Sequence, residues 1–213
     1  MFAKAYDMLM ADVDYEQLIA FFEPYIQRQD LILDAGCGSG YFLLEILKRG
    51  YDGFGVDHDT EMLALAKERL RAHGFPQPLY HHDLRDRLPV KVDVIFMMFD
   101  VINYFKGPIT VLKNLFASLK PGGRLIFDFY KESVLHDFDG YEEIETDPFP
   151  YVWKTESKGY RFTHHLTIDG DAHSVRQTIH QKEAMMVAIR GLTTQYKIID
   201  GPDPRKHYLI AFK

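Results

Sequence analysis

Residues Leu31-Ile32-Leu33 run directly into Asp34-Ala35-Gly36-Cys37-Gly38-Ser39-Gly40, and this stretch restricts the fold more than any other in the chain. An apolar run that ends in an acid and alternating glycines reads as a buried parallel strand closing in a tight turn, with a helix over 41–49 behind it. Backbone can approach a ligand to contact distance only where no Cβ intervenes, and Gly36, Gly38 and Gly40 each remove one. The following helix offers free N–H groups and the positive end of its dipole at the same spot. The pattern predicts a cradle for a polar ligand, although plain strand-to-helix links also use small glycine turns.

The surrounding chain supplies the rest of a sheet. Gly50 ends the helix, and Gly53-Phe54-Gly55-Val56-Asp57 reads as a second strand that also ends in an acid. In an open parallel sheet, ligands sit beyond the carboxyl ends of the strands, so Asp34 and Asp57 should share one edge. A carboxylate there can accept from two vicinal ribose hydroxyls, or else it is a solvated strand-end acid. Asp59 is the better cap for a helix over 60–73, which leaves Asp57 free. A third strand over 79–81 leads to Asp83-Leu84, and a fourth over 92–97 leads to Phe99-Asp100-Val101-Ile102-Asn103-Tyr104. Pro108 opens a helix with a stripe of Ile109, Leu112, Leu115, Phe116 and Leu119, and Lys120-Pro121-Gly122-Gly123 turns into a fifth strand over 124–129. Five strand-helix alternations predict a doubly wound α/β sheet, mostly parallel and completed to seven strands by the C-terminal segment, with right-handed crossovers.

Two regions flank this core. Residues 1–30 read as a leader and then a lid helix, capped by Asp14 with Gln17 three residues on. Tyr6 and Tyr15 there are either half-buried core aromatics or phenols that a lid brings to the ligand. The core proper covers 31–135. Short β-prone runs over 141–145, 151–156, 160–168 and 173–180, separated by turn signals such as Asp169-Gly170, predict an antiparallel β insertion after the fifth strand, spanning 141–180. A helix over 181–190 and closing strands over 194–199 and 207–212 complete 181–213.

Composition limits the partners. The 213 residues, 46% hydrophobic, suffice for one substantial core. The net charge of −6 leaves no basic stripe for nucleic acid, so a nucleic-acid partner is disfavoured. The single cysteine, Cys37, excludes an internal disulfide framework and fits a reducing, cytoplasmic setting. No run approaches the roughly 20 apolar residues of a membrane span. Among the ten histidines, His81-His82 and His164-His165 are adjacent pairs that point apart on a strand, and no spacing supports zinc. Asp100 and Asp128 on neighbouring strand ends lack a clear third partner for Mg²⁺, so no metal is expected.

The successive stretches Leu33-Asp34-Ala35-Gly36-Cys37-Gly38-Ser39-Gly40, Gly55-Val56-Asp57-His58, Met62-Leu63 with Ala66, Asp83, and Leu119-Lys120-Pro121-Gly122-Gly123 resemble, in order, the motifs of class I S-adenosylmethionine (SAM)-dependent methyltransferases. The resemblance covers roughly residues 30–130. The whole-chain pattern is also similar to a small bacterial branch that includes amino-sugar N-methyltransferases, with a tyrosine-bearing N-terminal lid and a β insertion after strand five. The resemblance implies a Rossmann-like fold with SAM as cofactor and S-adenosylhomocysteine as product. It implies that Gly36, Gly38 and Gly40 meet the methionyl part, and that Asp34 shapes the loop and reaches its amino group. Asp57 would bind the ribose, His58 and Met62 would pack on adenine, and Asp83 with the Leu84 backbone would take the adenine amino group. Phe99 and Asp100 would line the donor methyl and acceptor, with Tyr6 and Tyr15 contributed by the lid. No Asn-Pro-Pro-Tyr signature is present; Asp100-Val101-Ile102-Asn103-Tyr104 stands in its place.

Methyl transfer of this kind depends mainly on positioning, and a base is optional. For an amine or hydroxyl acceptor, Asp100, Tyr104 or a nearby histidine is the candidate proton acceptor. The expectation is a methyltransferase acting on a small polar metabolite, as a monomer or homodimer. Two alternatives stay open. A nicotinamide-dependent oxidoreductase would want its third glycine one position later, where Tyr41 stands. A non-catalytic SAM-binding or interaction module would keep Asp34, Asp57 and Asp83.

Overall fold

The computed structural model describes residues 2–213. Its centre is a seven-stranded sheet of β1 (Leu31–Ala35), β2 (Asp52–Asp57), β3 (Leu79–His81), β4 (Val92–Met97), β5 (Leu119–Tyr130), β10 (Tyr196–Ile199) and β11 (Lys206–Phe212). Their spatial order is β10-β11-β5-β4-β1-β2-β3. Pairing is parallel from β3 through β5, and β11 runs antiparallel to both β5 and β10. The order reverses at β1 and β4, so the crevice at their carboxyl ends lies at the switch point, where α/β sheets bind ligands.

Alternation along the strands builds a core on each face. Leu33, Ile95, Phe127 and Leu209 pack on one side with α5 (Pro108–Ala117) and α7 (Lys182–Arg190). Ile32, Val94, Phe96, Ile126 and Ile210 pack on the other against Ile19 and Phe22 of α2 (Tyr15–Phe22) and Phe42 and Ile46 of α3 (Tyr41–Lys48). Doubly wound burial is why β1 and β4 read as continuous apolar runs.

The insertion is a second sheet, β6 (Glu142–Glu145), β7 (Tyr151–Lys158), β8 (Arg161–Ile168) and β9 (Asp171–Thr178), antiparallel in sequence order. The loop after β4 is tied to its last strand and the residues just beyond. Asn103 Nδ2 donates to the Thr178 carbonyl at 2.7 Å, and His180 Nε2 lies 3.3 Å from the Ile102 carbonyl.

Two boundaries differ most from the sequence expectation, the leader and the start of the fifth strand. The leader is itself helical, as α1 (Phe2–Leu9), because Ala5 and Leu9 find an apolar seat against Tyr151, Leu166 and Ile168 of the second sheet. Asp14 does cap α2, accepting the Gln17 N–H at 2.8 Å. Leu119 belongs to β5 rather than to the preceding helix, because it pairs with Val92. The register then shifts, so that Arg124 pairs with Val94, and Lys120-Pro121-Gly122-Gly123 is a bulge within the strand. Gly123 is demanded there, since a Cβ would stand 2.9 Å from the carbonyl oxygens of Asp93 and Lys120.

Candidate functional site

The turn after β1 is fixed before any ligand is considered. Gly36 and Cys37 both donate their N–H groups to the Val56 carbonyl, at 2.8 and 3.0 Å. Gly36 and Gly40 have φ of +84° and +82°, and a Cβ on them would lie 2.8 Å from a Val101 methyl and 2.9 Å from the Ala66 methyl. Packing therefore accounts for both. Gly38 is different: at φ +51° its missing Cβ points into open space with nothing within 4 Å. It is the glycine of this turn that leaves room for a ligand.

Two acids flank that opening. Asp57 is buried at the end of β2. One of its carboxylate oxygens accepts the Gly38 N–H at 2.8 Å and the other the Asp59 N–H at 2.9 Å. Asp34 is buried too; it takes a hydrogen bond from the Leu43 backbone, while its Oδ2 has no partner. Burial, reinforced by neighbouring Asp57, pushes the Asp34 carboxyl up to about 8. A buried acid with an orphaned oxygen beside an open glycine fits a cationic or donor group of a ligand.

The remaining residues expected around an adenosine are placed as follows. His58 is exposed, with Nδ1 3.4 Å from Asp57 Oδ1. Met62 is buried in the first turn of α4 (Thr60–Ala72), under the Asp59 cap. Asp83 pairs with Arg85 two residues on, Nε to Oδ1 at 2.9 Å, and hydrogen bonds from that guanidinium hold its carboxyl down at about 2. Leu84 is buried in the main core. An opening of about 440 Å³ lined by Ala3, His58, Asp59, Thr60 and Glu61 lies between α1 and the start of α4.

The loop after β4 carries the second half of the site. Phe99 and Asp100 both adopt left-handed backbone, φ +61° and +52°. For non-glycine residues this conformation is rare and clusters where surroundings over-determine a functional geometry. Here the surroundings do so: the Asp100 N–H donates to Asp128 Oδ1 at 2.6 Å, and Lys206 Nζ lies 2.6 Å from Asp100 Oδ1 and 3.1 Å from Asp128 Oδ2. Burial alone would depress the Lys206 ammonium, but Asp100 and Asp128 outweigh it and hold it well above its ordinary value. The two carboxylates considered for Mg²⁺ are thus bridged by an ammonium. The other Asp100 oxygen accepts from Gln177 Nε2, Gln177 Oε1 lies 3.2 Å from His164 Nε2, and Trp153 Nε1 donates to His164 Nδ1 at 3.1 Å.

These groups open onto a cavity of about 660 Å³ between the main sheet edge, α1 and the second sheet. Tyr6, Phe99, Asp100 and Tyr104 line it, together with Tyr130, Glu143, Trp153 and His164. Tyr6 and Tyr104 are hydrogen-bonded, and burial followed by the nearby Asp100 charge pushes the Tyr6 phenol up to about 12. Tyr15 is not a lining residue. Its hydroxyl donates to the Met10 carbonyl at 2.9 Å and its ring stacks on Tyr41 at 5.2 Å. Arg69 of α4 fastens the same corner: its guanidinium lies 3.5 Å from the Tyr41 ring centroid and pairs with Asp7 of α1 at 2.8 Å.

The structure brings together Asp34, Gly38 and Asp57 at the turn, and Tyr6, Phe99, Asp100 and Tyr104 at the cavity. It keeps Asp83 at its own ion pair. Sequence reasoning missed Lys206, Gln177 and His164 as members of the site. Lys206 had a signal, a lone cation in register with Tyr208 and Ile210 on a strand otherwise buried; Gln177 had none. Among the described residues no group of three His, Cys, Asp or Glu side chains could hold a metal ion. No helix among them is long and apolar enough to cross a membrane.

Residues 32–123 match the family model described as a methyltransferase domain. That match spans 92 of the 213 residues, the stretch in which a dehydrogenase reading had stayed open. It is 27% identical over 163 residues to the candidate methyltransferase YqeM of Bacillus subtilis (strain 168), covering 72% of this chain and 65% of that one, just under two thirds of its length. An S-adenosylmethionine-dependent methyltransferase from Clostridium acetobutylicum shares the fold with a TM-score of 0.81 at 21% identity, over 99% of this chain and 97% of that one. SAM-bound CalS10 from Micromonospora echinaspora, an amino pentose methyltransferase, does so with a TM-score of 0.78 at 18% identity, over 99% and 95%. The fold is that of the SAM-dependent methyltransferases, a Rossmann-like sheet with a β insertion.

Proposed function

We propose that the protein is a SAM-dependent methyltransferase that acts on an amine or hydroxyl of a small polar metabolite. The observation that carries this reading is the junction of two spaces at one loop: Val101 packs on Gly36 of the glycine turn, and its neighbours Phe99 and Asp100 line the 660 Å³ cavity. That volume suits a metabolite rather than a polymer. When bound, SAM supplies an electrophilic methyl group on a sulfonium sulfur.

The residues present fit it. Asp34 would accept from the methionyl amino group, Gly38 would leave room for the chain, and Asp57 would hold ribose hydroxyls. Asp57 keeps lone pairs for this, since a carboxylate has about four and the backbone takes two. The packed side chains of Tyr6, Phe99 and Tyr104 would exclude water from the acceptor, and Asp100 would hold its nucleophilic atom and accept a proton from it. The paired state of Asp83 fits an adenine contact less well, because Arg85 would have to give up one oxygen.

The acidic balance, net −6, and a cavity whose lining cations Lys206 and Arg205 are each paired to carboxylates support a small-molecule acceptor over RNA. The test is transfer of labelled methyl from SAM to a panel of small amines, small alcohols and unmodified tRNA. Labelled amine or alcohol supports the reading. Label in tRNA alone, or in nothing while SAM binds, contradicts it, the second outcome favouring a non-catalytic binding module.

A further inference from the structure

We propose that Trp153, His164 and Gln177 are positioning residues that orient Asp100 through a hydrogen-bond chain whose polarity is fixed at both ends. The inference rests on the methyl-transfer reading above, which makes Asp100 the group that faces the acceptor.

The polarity follows from what each atom can do. The indole N–H of Trp153 can only donate, so His164 Nδ1, 3.1 Å away, must accept. A neutral imidazole then carries its proton on Nε2, which donates to Gln177 Oε1 at 3.2 Å. That fixes the amide of Gln177, whose NH₂ faces Asp100 Oδ2. The far end, a carboxylate, can only accept. With a donor-only group at one end and an acceptor-only group at the other, one tautomer and one amide orientation satisfy every link, and Gln177 is only 2% exposed, so a wrong one would set like groups against each other at a buried side chain. Asp100 is thereby held at three points: Oδ2 by Gln177, Oδ1 by Lys206 and its N–H by Asp128.

The arrangement also explains why the insertion is attached to the core at this loop. The three residues come from β7, β8 and β9, one from each, and sit diagonally across neighbouring strands on one face. The second sheet is thus an orienting wall for Asp100 as well as a cover for the cavity.

The chain requires a neutral His164, since protonation would put an N–H on Nδ1 opposite the indole N–H. Its surroundings keep it neutral. Trp153 and Thr155 face it from β7, Gln177 and Val175 from β9, and the Phe162 ring stands 4.7 Å away on its own strand. Burial lowers its affinity for a proton, opposed by Gln177 and the Asp100 charge and assisted by His165 and Arg205.

The test is nitrogen-15 NMR of the histidine rings across pH in the full-length protein, with the His164 signals assigned by their loss in His164→Gln, alongside calorimetry with SAM. The expected result is the Nε2–H tautomer, persisting below the ordinary histidine midpoint. In Trp153→Phe the tautomers mix and the midpoint moves up. With an amine that the methyl assay shows to be accepted, Gln177→Glu should lower kcat about tenfold or more while KM for SAM holds. The acid limb of the wild-type pH profile should move to higher pH in Trp153→Phe. A wild-type His164 with its proton on Nδ1, or with mixed tautomers at an ordinary midpoint, overturns the chain. Unchanged kcat in a folded Gln177→Glu overturns its positioning role. Failure to bind SAM while the Nε2–H tautomer is present overturns the methyl-transfer reading, and the role with it, but leaves the hydrogen bonds in place.

Discussion

The backbone N–H of Gly38 donates to Asp57 at 2.8 Å, tying the turn after β1 to the carboxyl end of β2. Asp57 thereby shapes the turn as well as offering oxygens to a ligand. Replacing it with alanine removes the acceptor for two backbone N–H groups, Gly38 and Asp59. Asp57→Ala should lose ~1–3 kcal/mol of stability, still fold, and bind SAM at least about tenfold more weakly, one such factor being 1.4 kcal/mol. Denaturant melts with calorimetry on the same sample check this; unchanged affinity in a folded variant removes the ribose role.

The glycines should separate cleanly. Gly38→Ala meets open space and only the cost of left-handed backbone, ~1–2 kcal/mol. Gly36→Ala meets the same cost plus a collision at 2.8 Å with Val101, ~1–3 kcal/mol more. Gly38→Ala should therefore remain folded and lose SAM binding, because its methyl enters the ligand's space. Gly36→Ala should show its damage first in the melting temperature.

Asp34 predicts a proton linkage. Its carboxyl, about 8 in the free protein against an ordinary 3.8, holds a proton at pH 7 that an unfolded chain would have released. A raised folded value means that its contribution to stability is full below the unfolded value and is lost as pH rises from about 4 through about 8. A ligand ammonium beside Asp34 favours the carboxylate, so SAM binding near pH 7 should expel that proton. Calorimetry in buffers of differing ionisation enthalpy should detect the release with SAM. It should vanish in Asp34→Asn, and with 5′-methylthioadenosine, which lacks the amino acid portion.

Much of this was legible in the chain. The apolar run of β1, its acid and its glycines define the switch point because a doubly wound sheet buries both faces of its central strands. The shared edge of Asp34 and Asp57 followed from their places near the carboxyl ends of neighbouring parallel strands. The bulge in β5 was not legible, because a Lys-Pro-Gly-Gly stretch serves a turn and an in-strand bulge equally well; only pairing with Val92 decides between them. Nor was the Asp100 surround: Asp128, Gln177 and Lys206 lie 28, 77 and more than a hundred residues from Asp100 or are joined to it only by tertiary packing. The Asp83–Arg85 pair shows the opposite limit, a local contact that competes with a role assigned by resemblance.

Lys206 is the counter-ion for two buried carboxylates, so its loss should be costly. Lys206→Met leaves Asp100 and Asp128 facing each other without a cation and should destabilise by ~3–5 kcal/mol. Burial already pushes the Asp128 carboxyl up, and removing the ammonium pushes it further. A carboxyl whose folded value is raised loses stability as pH rises, so the deficit should be larger at pH 8 than at pH 5. Adding Asp128→Asn should restore part of it, read by denaturant unfolding at both pH values.

The measurement that tests the central claim most directly is calorimetric titration of the purified protein with SAM, S-adenosylhomocysteine and NAD in parallel. The glycine turn, Asp34 and Asp57 predict binding of the first two in the micromolar range, about −8 kcal/mol, and no heat from NAD. Binding of NAD alone, or of none of the three, would contradict it.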